Sequence, residues 1–83
     1  MTYPFEIIRW EDHCSGSAWK NLDELKALPM STVTTAGWVV HEDETRLIVC
    51  NSIQDDDEET LGEYGGYDIL LKATIIDRQE YDL

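Results

Sequence analysis

Apolar and polar positions alternate most regularly between Val33 and Ile53. The stretch reads Val-Thr-Thr-Ala-Gly-Trp-Val-Val, then His-Glu-Asp-Glu-Thr, then Arg-Leu-Ile-Val-Cys-Asn-Ser-Ile. Two β-branched, aromatic-containing runs around one short polar loop predict a β-hairpin. Strict alternation places Thr34, Ala36, Trp38 and Val40 on one face of its first strand, with Val33, Thr35, Gly37, Val39 and His41 on the other. On the return strand Leu47 and Val49 oppose Ile48 and Cys50. Gly37 inside the run suggests a bulge or a tight bend.

The same reading extends outward. Phe5 to Trp10 predicts a first strand with apolar groups on both faces. Glu11 to Ala18 is small and polar and predicts a loop. Asn21 can cap a helix from Leu22 to about Ala27, with Asp23 and Glu24 in its first turn and Glu24 completing a capping box. Leu22, Leu25 and Leu28 form its apolar stripe, which must pack on the sheet, and Pro29 ends it. Residues 54–66, with five consecutive acidic residues and three glycines, predict a flexible loop. Tyr67 to Lys72 predicts a fourth strand with Tyr67, Ile69 and Leu71 on one face. Ala73-Thr74 allows a tight turn before a short last strand at Ile75-Ile76. This order predicts one mainly β domain over residues 1–83, with one short helix, built as a small five-stranded SH3-like or Sm-like barrel. An open twisted antiparallel sheet with the helix on one face is the alternative.

Composition narrows the partners. Eighteen acidic residues against six basic ones give a formal net charge of −12. Such a chain repels nucleic-acid phosphate and anionic membrane surfaces, and attracts basic proteins. An 83-residue domain buries only roughly 60% of its unfolded surface, so a shallow groove or a site shared between copies is easier to build than a deep cleft. The N-terminus lacks a signal-peptide pattern, no apolar run approaches a membrane span, and two cysteines make no disulfide framework. A cytoplasmic location is expected.

Candidate chemistry is sparse. His13, Cys14, His41 and Cys50 are the soft metal ligands, but none stands at zinc-site spacing. Asp12, His13, Cys14, Ser15 and Ser17 hold the residue types of a nucleophile and its base, yet neighbours in sequence rarely point at one another; a hydrogen-bonded loop explains them. The run Asp55, Asp56, Asp57, Glu58, Glu59 lacks the EF-hand pattern, and Gly62 to Gly66 lacks the residues of a phosphate loop. No cofactor, no metal and no enzymatic activity are expected.

Two surfaces remain. Glu42, Asp43 and Glu44, with the run from Asp55 to Glu59, form a candidate acidic face for a basic partner. Trp10, Asp12, Ser15, Trp19, Trp38, Tyr67 and Lys72 form a candidate aromatic rim for a small ligand, with Lys72 or Arg78 to meet phosphate. A free strand edge carrying Ile53, Tyr67 or Ile69 would also favour homo-oligomers.

The order Trp10-Glu11-Asp12, Ser15, Trp19, Leu22 to Leu25, Gly37-Trp38-Val39-Val40, Glu42-Asp43, Leu47-Ile48-Val49 and Leu71-Lys72-Ala73-Thr74-Ile75 resembles a group of small proteins encoded by bacteriophages and prophages. Their pattern often has Pro at the position of Leu71. The resemblance implies a phage source, host cytoplasm and a β fold. The resemblance itself adds little chemistry; the charge of −12 points to an accessory protein that binds a host protein through its acidic face, as an inhibitor of host defence or a DNA mimic. The alternative is a protein that sequesters a nucleotide signal on the aromatic rim.

Overall fold

A computed structural model describes residues 3–54 and 62–82. Five antiparallel strands form one sheet in the order β4-β3-β2-β1-β5, where β1 is Phe5–Asp12, β2 Ser31–Glu42, β3 Arg46–Ile53, β4 Tyr64–Leu71 and β5 Ile75–Tyr81. A short helix, α1 (Leu22–Lys26), lies in the β1–β2 connection, and one 3-10 turn (Lys72–Thr74) joins β4 to β5.

The sheet is open, which corrects the expected barrel. Among the described residues β4 and β5 are the two outer strands and share no ladder. The three-residue turn between them brings the two edges together at one end. Closure would require β5 to bury apolar side chains against β4, and its sequence, Ile-Ile-Asp-Arg-Gln-Glu-Tyr, is polar after the first two positions. The last strand is also longer than expected, because its polar residues find partners along β1 from Ile75↔Trp10 to Tyr81↔Phe5.

The inner face carries the core. Ile8 of β1, Val39 of β2, Leu47 and Val49 of β3 and Leu70 of β4 form one buried cluster, with Trp10 and Ile75 packed against it. Gly37 is a packing requirement: a Cβ there would stand 2.5 Å from the Cys50 carbonyl oxygen. Beside this cluster the face is ionic. The Arg78 guanidinium grips buried Glu6 as a fork, Nε donating to Oε1 and Nη2 to Oε2, both at 2.8 Å. The same guanidinium donates to both oxygens of Glu42 at 3.0 and 3.1 Å, and Lys72 Nζ donates to Glu42 Oε2 at 2.8 Å. These four residues come from β1, β2, β5 and the 3-10 turn, so they tie the two edges of the sheet through charge where apolar packing ends.

Register explains a second departure. Val39 pairs with Val49, but His41 pairs with Ile48, so Val40 is the extra residue of a bulge. The bulge turns His41 to the face of Ile48 and Glu42 to the inner face of Leu47. Simple alternation places His41 with Val39. Of the flexible loop expected over 54–66, residues 55–61 lie outside the described residues, and its far end is strand, since β4 begins at Tyr64 and takes in Gly65 and Gly66. Gly66 has φ 58°, a conformation suited to glycine.

Helix α1 has the expected cap: Asn21 Oδ1 accepts from the Glu24 amide at 2.8 Å, and Glu24 Oε1 accepts from the Asn21 amide at 3.4 Å. Its leucines, however, do not pack on the sheet. Every residue from 13 to 32 is exposed, and no helix residue is buried. The β1–β2 connection is an arm standing off the sheet. The Cα radius of gyration is 16.9 Å, against ~12 Å for a compact domain of this length, and the longest dimension is 60 Å against 25 and 22 Å across. Both the barrel and the helix lying on a sheet face are thereby replaced by an open sheet with a projecting arm.

Candidate functional site

The outer face of the β2-β3-β4 half holds an apolar groove of about 550 Å³. Its lining comes from three strands: Val40 and His41 of β2; Arg46, Ile48 and Cys50 of β3; Tyr64, Tyr67 and Ile69 of β4. The register builds it directly. Ile48 stands opposite Ile69 and Cys50 opposite Tyr67, so alternate positions of two paired strands share one surface. The bulge at Val40 adds His41 to the same surface.

Each group has a definite setting. Cys50 is buried, and burial pushes its thiol pKa up, which keeps it protonated and un-nucleophilic. Tyr67 and Ile69 are exposed. The Tyr64 hydroxyl is 2.8 Å from that of Tyr3, whose ring meets it edge-on with centroids 6.2 Å apart. At the β2–β3 turn, Asp43 organises the polar margin. Its Oδ1 accepts from the amides of Thr45 (2.9 Å) and Arg46 (3.0 Å) and from the Thr45 hydroxyl (3.1 Å). Its Oδ2 lies 3.0 Å from His41 Nε2 and 3.4 Å from Arg46 Nε. The His41 contact first, and then the Thr45 amide, hold the Asp43 carboxyl far below the usual carboxylate range. Asp43 engages Arg46 at Nε, the inner nitrogen of the guanidinium, and the side chain is about half exposed beside the groove. The arrangement can hold a flat apolar or aromatic group against Tyr67, Ile69 and Ile48, with a negative or hydrogen-bonding group toward Arg46 and His41.

Of the residues expected from sequence, the fold brings Trp10 and Asp12 together at a separate hollow of about 260 Å³ and spreads the others. Tyr67 alone of the aromatic rim lines the groove. Trp10 lies on the inner face, half-buried, and its Nε1 donates to Thr35 Oγ1 at 2.9 Å. Trp38 is half-buried and meets Phe5 edge-to-face with centroids 5.3 Å apart. Asp12 ends β1, while Ser15 and Trp19 lie on the arm. Lys72 and Arg78, expected to meet phosphate, are both held by Glu42.

The acidic face is rearranged too. Hydrogen bonds from Arg78 and then Lys72 lower the Glu42 pKa to about 2, so Glu42 is an internal counter-ion. Asp43 is the organiser of its own turn, and Glu44 is exposed beside it. The run Asp55 to Glu59 lies outside the described residues. Val40, His41, Arg46, Ile48, Cys50 and Ile69 are the groove residues that sequence reading did not place at a ligand rim, whereas Tyr64 stands out beside Tyr67 as an aromatic of the chain. The available signal was the second apolar face of β3 and β4, since a strand apolar on both sides needs two covered surfaces.

Among the described residues no group of three or more His, Cys, Asp or Glu side chains is placed to hold a metal ion, and no helix is long and apolar enough to cross a membrane. Nothing matches the chain among protein-family models, curated proteins or solved structures. The similarity to phage-encoded proteins, and the host-defence role attached to it, therefore has no support from comparison. With the barrel also gone, what stands is a small, mostly β fold with a groove on its outer face.

Proposed function

We propose that this chain is a non-catalytic binder of a small flat ligand carrying a negative group, with a nucleotide as the class that fits, held in the groove of the β2-β3-β4 face. The supporting observation is the groove itself: about 550 Å³, within the range of small-molecule sites, walled by Ile48, Ile69 and Tyr67, with Arg46 and His41 at its polar margin. A base stacks on Tyr67 and its apolar neighbours, and the guanidinium of Arg46 meets phosphate. The overall charge of −12 opposes a polyanion such as a nucleic acid more strongly than a single nucleotide. Binding then stores or withdraws the ligand.

The test is a thermal-shift and calorimetric screen of mono-, di- and cyclic nucleotides against the wild-type chain and against Tyr67→Ala and Arg46→Ala. The expected outcome is stabilisation by at least one nucleotide that is lost in both variants. No shift with any nucleotide, or a shift that both variants keep, overturns the reading.

A further inference from the structure

The arm between β1 and β2 presents Trp19, Leu22, Leu25, Leu28 and Met30 to solvent. Trp19 is fully exposed, and the three leucines are 47–64% exposed. A five-residue helix is marginal without packing, however well capped, yet among the described residues nothing covers this one. The five side chains expose on the order of 600 Å² of apolar surface per copy, and a reciprocal pair of arms would bury about twice that, clearing the ~1,000 Å² of a specific interface.

Charge says which partner fits. Lys20 and Lys26 balance Asp23 and Glu24, so residues 13–30 sum to zero while the whole chain carries −12. All of the net charge lies outside the arm. Two copies of so acidic a molecule meet with less repulsion through this neutral segment than through their acidic surfaces. The arm is also self-complementary. Antiparallel pairing about Leu25 sets Leu22 against Leu28 of the other copy and Glu24 against Lys26, and it opposes the two helix dipoles. Parallel pairing would set like against like. Shape adds a third argument: Cys14, Ser15, Gly16, Ala18, Leu25 and Leu28 border a hollow of about 260 Å³ on the arm. Trp19 does not line this hollow, so its own indole leaves the hollow unfilled.

We infer that the arm is a homodimerisation element: two copies of this chain pair arm to arm in antiparallel fashion, each seating its Trp19 in the hollow of the other. This surface lies apart from the groove, and the inference stands without the ligand reading. The dimer leaves both sheets free at the two ends of a long particle.

The test is sedimentation equilibrium with light scattering on the full chain, from low micromolar to several hundred micromolar, at low and moderate salt. A dimer is expected, and it tightens with salt as the repulsion between the two sheets is screened. Trp19→Ala and Leu25→Glu each weaken self-association about 30-fold or more, the factor a buried interface anchor carries. Both sites are exposed in one copy, so circular dichroism and the urea midpoint at low concentration should match the wild type, which separates lost dimer from lost fold. Lys26→Glu weakens the dimer by facing Glu24 with a like charge, and adding Glu24→Lys restores it. Alkylation of Cys14 should slow as concentration rises. A chain that stays monomeric throughout, or a dimer indifferent to both Trp19→Ala and Leu25→Glu, overturns the inference.

Discussion

Ile69 and Leu70 are neighbours on β4, and they face different worlds. Leu70 is 3% exposed inside the core cluster, whereas Ile69 is 52% exposed on the groove. The same contrast runs through the sheet. On the inner face the buried carboxylate and its neighbour are matched: Glu6 with Arg78, and Glu42 with Arg78 and Lys72. On the outer face apolar side chains line an open groove, and the arm carries more of them into solvent. The difference separates what holds the fold from what is available to a ligand or partner. Stability should respond to the inner face and binding to the outer one.

The strongest way to break that division is to remove Arg78. Glu6 is almost fully buried, and the Arg78 fork supplies two charge-assisted hydrogen bonds to its carboxylate. Taking away one partner of such a pair leaves an uncompensated buried charge, which costs about 3–5 kcal/mol. Arg78→Met should therefore lower the unfolding free energy read from urea titration by that much, with a matching fall in the midpoint. Replacing both partners, with Glu6→Leu added to Arg78→Met, should recover most of the loss, because the penalty lies in the orphaned charge. If the double variant is as unstable as the single one, the quartet contributes through geometry that apolar groups cannot replace.

The neighbours on β4 give the next largest effect. Leu70→Ala removes buried methyl groups from a core of few residues and should cost about 2–4 kcal/mol. Ile69→Ser removes a comparable side chain from the groove wall and should change stability by no more than about 0.5 kcal/mol. Chemical denaturation of the two variants measures the contrast directly. Equal losses would mean that the groove face is packed in solution, by a partner or another copy.

Sequence reading reached the parts of this fold that local chemistry determines. Alternation from Val33 to Ile53 located the hairpin, and Asn21 with Glu24 located the helix start. It fell short where distant segments decide. An amphipathic stripe such as Leu22, Leu25 and Leu28 says that a face can be covered, but not by what, so a helix packed on the sheet was expected where an arm stands free. Barrel closure depends on whether β4 and β5 can meet, and the polar run Asp77 to Glu80 satisfies itself along β1 instead. The candidate site was legible only through its aromatics, Tyr64 and Tyr67. Two signals hid the rest. The bulge at Val40 moves His41 across the sheet, and no residue type there announces it. Arg46 reads as an ordinary turn residue until β3 is paired with β4. Tryptophans drew attention to a rim, yet Trp10 and Trp38 pack at the core and against Phe5.

The smallest expected effect concerns acid. Glu42 has its pKa held at about 2 by hydrogen bonds from Arg78 and then Lys72, against 4.5 for an unperturbed glutamate. A carboxyl whose folded pKa is depressed stabilises the fold fully above its unfolded pKa, and that contribution is lost as pH falls through the folded value. Glu42 thus helps the fold above about pH 4.5 and stops helping near pH 2. Its side chain is more than one-third exposed, so solvent screens the gain, and the raw acid profile will not isolate it. Other carboxylates titrate over the same range, and their protonation also relieves the repulsion of a −12 chain. Comparison with Glu42→Gln removes both complications, since they act alike on the two proteins. The wild type should be the more stable at pH 6, and the gap in urea midpoint should narrow steadily from pH 4.5 downward. A gap that stays constant with pH would show that Glu42 matters for its shape, and that Arg78 holds the inner face through Glu6 alone.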